Sequence, residues 1–274
     1  MNLRKTLKRV LPPVLVEELR RYGAGITFAG DYGAWELAKH AATGYDANEI
    51  VRRVTHATRQ VVAGNAAFER DAFLFAEHTY SYPVLATLMR SAALNQGQLR
   101  VIDYGGSLGS TFRQCRPFLQ GLAQIRWCVV EQVNFVEVGK REFTTDELSF
   151  VGSLAEVPKW GETAVVLLSS VLQYLEEPQK LLQNLGHYGA TSLMIDRTPM
   201  SARDRDRLCV QSVPKYIYSA SYPCWIFSSS RLKSLLAQEW SLLAEFDSGE
   251  GDFFTKNRSR FKFGGLIYEK KSAS

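Results

Sequence analysis

From Gln98 onward the chain repeats one rhythm: short runs dense in Val, Ile and Leu, separated by stretches of helical spacing. Seven runs stand out: "LRVIDY", "IRWCVVEQ", "LSFVG", "AVVLLSS", "TSLMIDR", "WSLLAEFD" and "GGLIYEK". Strands this apolar are buried on both faces, and strands that alternate with helices pair in parallel because each crossover returns over the sheet. The rhythm predicts an α/β domain with a mostly parallel, doubly wound sheet.

The rest is arranged around that sheet. From about Trp35 to Leu94 apolar residues recur every three or four positions, in "WELAKHAATGYDANEIVRRVTHATRQVV" and then "YPVLATLMRSAAL". Gly44, Asp46, Asn95 and Gly97 punctuate these stretches. This predicts a helical cap before the first strong strand, so residues 1–97 hold a basic leader and the cap, and residues 98–274 the sheet domain. The fifth run is followed by a connection of about 198–230, rich in Tyr, Pro and Trp; loops this long are usually lids or substrate surfaces.

Composition removes several classes of function. With 274 residues, 46% hydrophobic and 22% charged, the chain is of soluble globular type with a sizeable core. Cys115, Cys128, Cys209 and Cys224 form no CxxC pair, and His40, His56, His78 and His187 are scattered. No metal site is expected, and the cytoplasm is the natural compartment. The net charge of +5 sits largely in the leader, where Arg4, Lys5, Lys8, Arg9, Arg20 and Arg21 face only Glu17 and Glu18. Without basic residues and stacking aromatics spread over the body, nucleic acid is not an expected partner. Pro12 and Pro13 interrupt the leader's apolar residues, which excludes a signal peptide or a membrane span. Two readings of residues 1–21 stay open: a peripheral contact with the inner face of the membrane, or a helix docked on the domain.

The chemistry-bearing residues cluster at the carboxyl ends of the strands, where open parallel sheets bind ligands. Residues 101–110 read "VIDYGGSLGS". Asp103 ends the first strand, Gly105, Gly106 and Gly109 permit a close turn, and Ser107, Ser110 and Thr111 stand at the start of a helix whose free N–H groups favour an anionic ligand group. Alone, the stretch fits a cofactor cradle or a tight structural turn. A dinucleotide site wants GxGxxG around its pyrophosphate, whereas D-x-G-G-S-x-G puts Ser107 where the second glycine would stand, which favours the amino acid end of S-adenosylmethionine (SAM). Glu131 ends the second strand, as a receiver of ribose hydroxyls or as a surface carboxylate. Ser153 and Leu154, in "FVGSLAEVP", stand where an adenine would lie.

In this order "VIDYGGSLGS", "VVEQ" and "LLSSVLQYLEEP" resemble the SAM-binding motifs of class I methyltransferases. More narrowly, "GGSLGSTFRQCRPFL", "LLSSVLQYL", "IDRTP" and "SASYPCWIF" are similar to a bacterial methyltransferase family associated with surface-polysaccharide gene clusters, and the match includes "WELAKHAATGYD". The resemblance implies a Rossmann-like class I methyltransferase fold, with a mostly parallel seven-stranded sheet and an N-terminal helical cap. It implies SAM as cofactor and O-methylation of a saccharide or cell-envelope precursor. Carried over by position, Asp103, Gly105, Gly106, Ser107 and Gly109 hold the methionine end, Glu131 the ribose, Ser153 and Leu154 the adenine, and Ser169 and Ser170 the face nearest the substrate. Two rivals remain: a nucleotide-dependent oxidoreductase or sugar-modifying enzyme using the same crevice, against which the missing glycine counts, and a non-catalytic SAM-fold module that docks on a membrane-associated assembly through the basic leader and the aromatic loop.

On the acceptor side, Asp196 and Arg197 end the fifth strand; Asp196 is the first candidate for a base or acceptor-orienting group, unless the pair merely fixes the loop. Tyr174 is the second candidate. His187 precedes the fifth strand, at the opposite edge, and is expected to be structural. Arg197, Arg207, Gln211, Tyr218, Tyr222 and Trp225 are candidate acceptor contacts, since aromatic faces interspersed with hydrogen-bonding groups suit a sugar ring. The alternative is that these aromatics fill the interface with the cap, where Trp35 and Tyr45 are placed to close the pocket.

Overall fold

The computed structural model describes residues 25–44, 47–160, 164–214 and 220–271; the leader, Tyr45 and Tyr218 lie outside them. The cap comprises β1 (Thr27–Tyr32), α1 (Trp35–Ala41), α2 (Ala47–Val62), β2 (Phe68–Arg70), β3 (Phe73–Phe75) and α3 (Tyr82–Leu94). Then come β4 (Gln98–Tyr104), α4 (Ser110–Leu119), β5 (Gln124–Val130), α5 (Val133–Val138), β6 (Leu148–Val151), β7 (Ala164–Ser169), α6 (Pro178–Asn184) and β8 (Ala190–Ser201). The chain ends with β9 (Arg207–Val213), β10 (Ala220–Ser228), α7 (Ser229–Leu236), β11 (Trp240–Phe254) and β12 (Arg260–Lys270).

All seven apolar runs are strands, and they lie side by side in the order β6-β5-β4-β7-β8-β12-β11. The first five pair in parallel, and β12 runs antiparallel between β8 and β11. The expected α/β, Rossmann-like sheet is therefore present. Strand order reverses at β4, whose neighbours are β5 on one side and β7 on the other, and a crevice opens at such a switch point.

Side-chain alternation divides each central strand between two cores. Leu99 and Val101 of β4, Trp127 and Val129 of β5, and Val165 and Leu167 of β7 face α3 and α4, meeting Leu85, Leu88, Phe112 and Leu119. Ile102, Val166, Leu168, Leu193 and Ile195 face the other way, toward Leu182 of α6 and Leu232 and Leu236 of α7. Both faces are covered, which is why these strands read as continuous apolar runs.

Two expectations are corrected. The connection of about 198–230 is not an irregular loop: β8 continues to Ser201, and β9 and β10 form an antiparallel pair that joins β8 at Phe227 and Ser228. With β1 on the far side of β9, the sheet has ten strands rather than seven. Pro223 is tolerated because at that point β10 has only β9 beside it, so the missing N–H leaves no second ladder short of a bond. The cap, in turn, is not wholly helical: β1 shares a ladder with the sheet domain, and β2 and β3 form a hairpin between α2 and α3. Among the described residues no helix is long and apolar enough to cross a membrane.

Candidate functional site

A cavity of about 1230 Å³ opens over the carboxyl ends of β4, β5 and β7, between them, α2, and the β9–β10 pair. Backbone strain concentrates there. Of the seven non-glycine residues with positive φ among those described, five line this cavity: Asp71, Ala72, Ser107, Ser170 and Arg197. Left-handed backbone costs a side-chain-bearing residue on the order of 1–2 kcal/mol, and such cost persists chiefly where a site needs it.

The glycine turn forms the floor. Gly105, Ser107 and Gly109 have φ of 73°, 56° and 85°. A Cβ on Gly105 would lie 2.4 Å from Val171 Cγ2, and one on Gly106 2.4 Å from the Asp103 carboxyl carbon, so the turn packs directly onto its surroundings. Arg113 reaches back from α4 to donate to the carbonyls of Leu108 and, at 3.1 Å, Gly109, with its guanidinium 5.1 Å from the Phe143 ring centroid. Those carbonyls are thereby held toward the protein. Gly105, Gly106 and Ser107 line the cavity, whereas Gly109 does not; its role is to cap α4.

Asp103 is 1% exposed, and its Oδ2 accepts the Trp127 indole N–H at 2.9 Å. Burial pushes its carboxyl up to about 7, against which the indole bond acts. At the end of β5 burial raises the Glu131 carboxyl above the ordinary range; Glu131 accepts the N–H of Gln132 at 2.6 Å, and the nearby Ser107 N–H also favours its ionised form. A carboxylate has about four acceptor positions, so acceptor capacity remains for a ligand on the cavity side. At β6 the cavity wall is Gly152. Ser153 is exposed and donates to Glu156 at 2.8 Å, and Leu154 packs on the second core, so neither lines the place expected of an adenine contact.

Asp196 and Arg197 do not end their strand, since β8 runs on to Ser201; they lie beside the end of β7, where the predicted residues meet but do not all face one space. Ser169 donates to Asp196 Oδ2 at 2.9 Å; Arg197 donates to Ser169 Oγ at 3.4 Å and lies 3.7 Å from the same carboxylate. The Ser170 N–H donates to the Asp196 carbonyl at 2.9 Å. Ser169, Ser170 and Arg197 line the main cavity. Asp196 does not: it is 3% exposed and lines a side cavity of about 360 Å³ that meets the main one at Arg70, Thr111, Ser169, Arg197 and Glu250. It positions Ser169 and Arg197 rather than confronting an acceptor in the main cavity.

On the opposite wall Tyr174 donates to Gln211 Oε1 at 3.1 Å, Gln211 Nε2 donates to the Tyr222 hydroxyl at 3.4 Å, and the two tyrosine rings meet edge to face at 5.2 Å. All three line the main cavity. Burial holds the Tyr174 phenol far above its ordinary pKa, so it is a neutral donor and not the base expected. Two predicted acceptor contacts lie elsewhere. Arg207, 4% exposed, spends its guanidinium on the Gly30 carbonyl at 2.9 and 2.7 Å and on the hydroxyls of Thr255 and Ser259 at 3.3 and 3.1 Å. Trp225 donates to the Leu175 carbonyl at 3.0 Å and stacks on Trp35 at 6.3 Å, filling the interface with the cap. Trp35 itself reaches the cavity.

Two parts of the wall were not anticipated. The inner face of α2 contributes Ile50, Arg53 and Val54, and the tip of the β2–β3 hairpin contributes Arg70, Asp71, Ala72 and Phe73. In "FERDAFLF" the apolar alternation was a signal, but Asp-Ala is not the glycine-bearing dipeptide that marks a two-residue hairpin.

No family model and no curated protein sequence matches the chain. Among solved structures, the N-terminal domain of EvdMO1, determined with S-adenosylhomocysteine (SAH) and D-fucose, is similar at 14% identity and a TM-score of 0.45, over 83% of this chain and 98% of that one. A SAM-dependent methyltransferase from Clostridium acetobutylicum is similar at 8% identity and 0.44, over 81% and 99%. CalS10, an amino pentose methyltransferase from Micromonospora echinaspora, is similar at 10% identity and 0.45, over 70% and 92%. Likenesses this distant carry no weight for activity, which rests on the chain's own residues.

Proposed function

We propose that the protein is a SAM-dependent methyltransferase acting on a hydroxyl of a saccharide or cell-envelope precursor. The observation that carries this is the joined floor of the cavity. The Gly105–Ser107 turn and Glu131 stand at the tips of adjacent strands β4 and β5 and line one floor at the switch point of the sheet, with the Ser107 N–H near the Glu131 carboxylate. Glu131 keeps acceptor capacity for a ribose diol, and the turn offers backbone groups beside the first turn of α4, where a negative group is favoured. The cavity also exceeds the roughly 300–1000 Å³ usual for one small ligand, which leaves room for an acceptor beside the cofactor.

When bound, SAM supplies an electrophilic methyl group. The chain's own residues then have to align an acceptor oxygen with it, the larger part of the catalytic task in an in-line displacement. Tyr174, Gln211 and Tyr222 offer aromatic surface and oriented hydrogen-bonding groups on the wall away from Glu131, as a sugar ring requires. Ser169 and Arg197, braced by Asp196, stand between the two regions.

The experiment is incubation with methyl-labelled SAM and a panel of sugar nucleotides and glycosides, following SAH release and transfer of label. Label in an acid- and base-stable ether on one saccharide is the expected result. Label on amines only would overturn the hydroxyl assignment, and cofactor binding without turnover on any acceptor would favour the docking module.

A further inference from the structure

We propose that the tip of the β2–β3 hairpin, together with Arg197 and Glu250, is a recognition site for an α-amino acid zwitterion; on the function proposed above, that zwitterion is the methionine end of the cofactor.

The hairpin is built to reach inward. Arg70 pairs with Phe73, so Asp71 and Ala72 alone make the turn, with φ of 51° and 66°. Such a turn normally uses Asn or Gly, and a left-handed alanine is held only because its surroundings fix it. Glu69, 4% exposed, does the fixing: one oxygen accepts the Ala72 N–H at 3.2 Å and the other the Ser110 hydroxyl at the start of α4. The tip is thereby tied to the helix that follows the glycine turn.

What the tip presents is a set of opposite charges near one another but not directly paired. Arg70 is half-buried and lies over the Phe68 ring at 5.8 Å, yet its guanidinium makes no hydrogen bond or ion pair among the described residues. Burial and the nearby charge of Arg197 both work against its ionisation. Asp71 and Glu250, both exposed, act on Arg70 through their charges and form no ion pair among the described residues. Arg70, Arg197 and Glu250 line both cavities where they meet, and Asp71 lines the main one.

The mixture of signs selects the ligand class. A simple anion would meet Asp71 and Glu250, and a simple cation would meet Arg70 and Arg197. A zwitterion satisfies both sets, its carboxylate on the guanidinium groups and its ammonium on the carboxylates. Loss of one charge-assisted bond of this kind lowers affinity about tenfold or more.

The test is calorimetric titration of the full chain and its Arg70→Gln and Glu250→Gln variants with SAH, with 5′-methylthioadenosine, which keeps the nucleoside and thioether but lacks the amino acid, and with L-homocysteine. The expected result is an SAH affinity about tenfold lower in each variant, with 5′-methylthioadenosine unchanged and the unliganded melting temperature unchanged or higher. Unchanged SAH affinity in both variants, or an equal loss for both nucleosides, would overturn the proposal. If neither nucleoside binds the native chain, the methyltransferase function fails, and L-homocysteine decides the zwitterion site separately: binding lost in Arg70→Gln upholds it, and no binding overturns it.

Discussion

Asp103 shows how one buried carboxyl links stability to pH. Unfolded, it loses its proton near the ordinary 3.8; folded, it does so at about 7 because burial penalises the charge. Between those values the folded state binds more protons, so Asp103 lowers stability as pH rises through that window, by up to about 4 kcal/mol. Asp103→Asn keeps an acceptor for the Trp127 indole and removes the titration. Melting temperatures measured from pH 4 to 8 should therefore fall less steeply in this variant than in the native chain; parallel curves would show that Asp103 does not titrate there. Arg207 makes the contrary case, of a side chain that looked like a ligand contact and is a strut. Arg207→Ala strands the Gly30 carbonyl and two hydroxyls, and urea unfolding should show a loss of about 3 kcal/mol with unchanged cofactor affinity. A selective rise in acceptor KM at unchanged stability would restore it to the site.

Among elements, the β9–β10 pair and the β2–β3 hairpin add walls to the crevice. Tyr174→Phe deletes the bond to Gln211 while keeping the ring against Tyr222, so steady-state kinetics should show acceptor KM raised several-fold with kcat within about twofold. A collapse of kcat at constant KM would make the phenol a participant in the chemistry. These two elements were also the least legible in the sequence, for physical reasons. The central strands declare themselves because both faces are buried, as Val165 and Val166 illustrate by entering opposite cores. In β10 Pro223 and the aromatics read as loop, since a proline is admissible only where a neighbouring strand is missing, and that is a tertiary fact. In the hairpin the left-handed alanine is stabilised by Glu69 and Ser110, which lie apart in sequence.

At the scale of the whole molecule, the site follows from strand order. Because β4 has β5 on one side and β7 on the other, the Gly105–Ser107 turn, Glu131 and Ser169 arrive at one crevice from separate parts of the chain. That convergence was legible as motifs at strand ends, and Ser107 with φ of 56° occupies a backbone state usual for the glycine it replaces. Which side chains face the cavity was not legible: Asp196, in β8 beside the end of β7, lines the side cavity, whereas Tyr174 lines the main one, where burial keeps it a neutral donor. Calorimetric titration of the purified protein with SAM, SAH and NAD, repeated with Glu131→Ala, tests the central claim most directly. The proposed function predicts binding of SAM and SAH, weakened at least about tenfold when the carboxylate assigned to the ribose is removed, and none of NAD. Binding of NAD alone, or of no nucleotide at all, would contradict it.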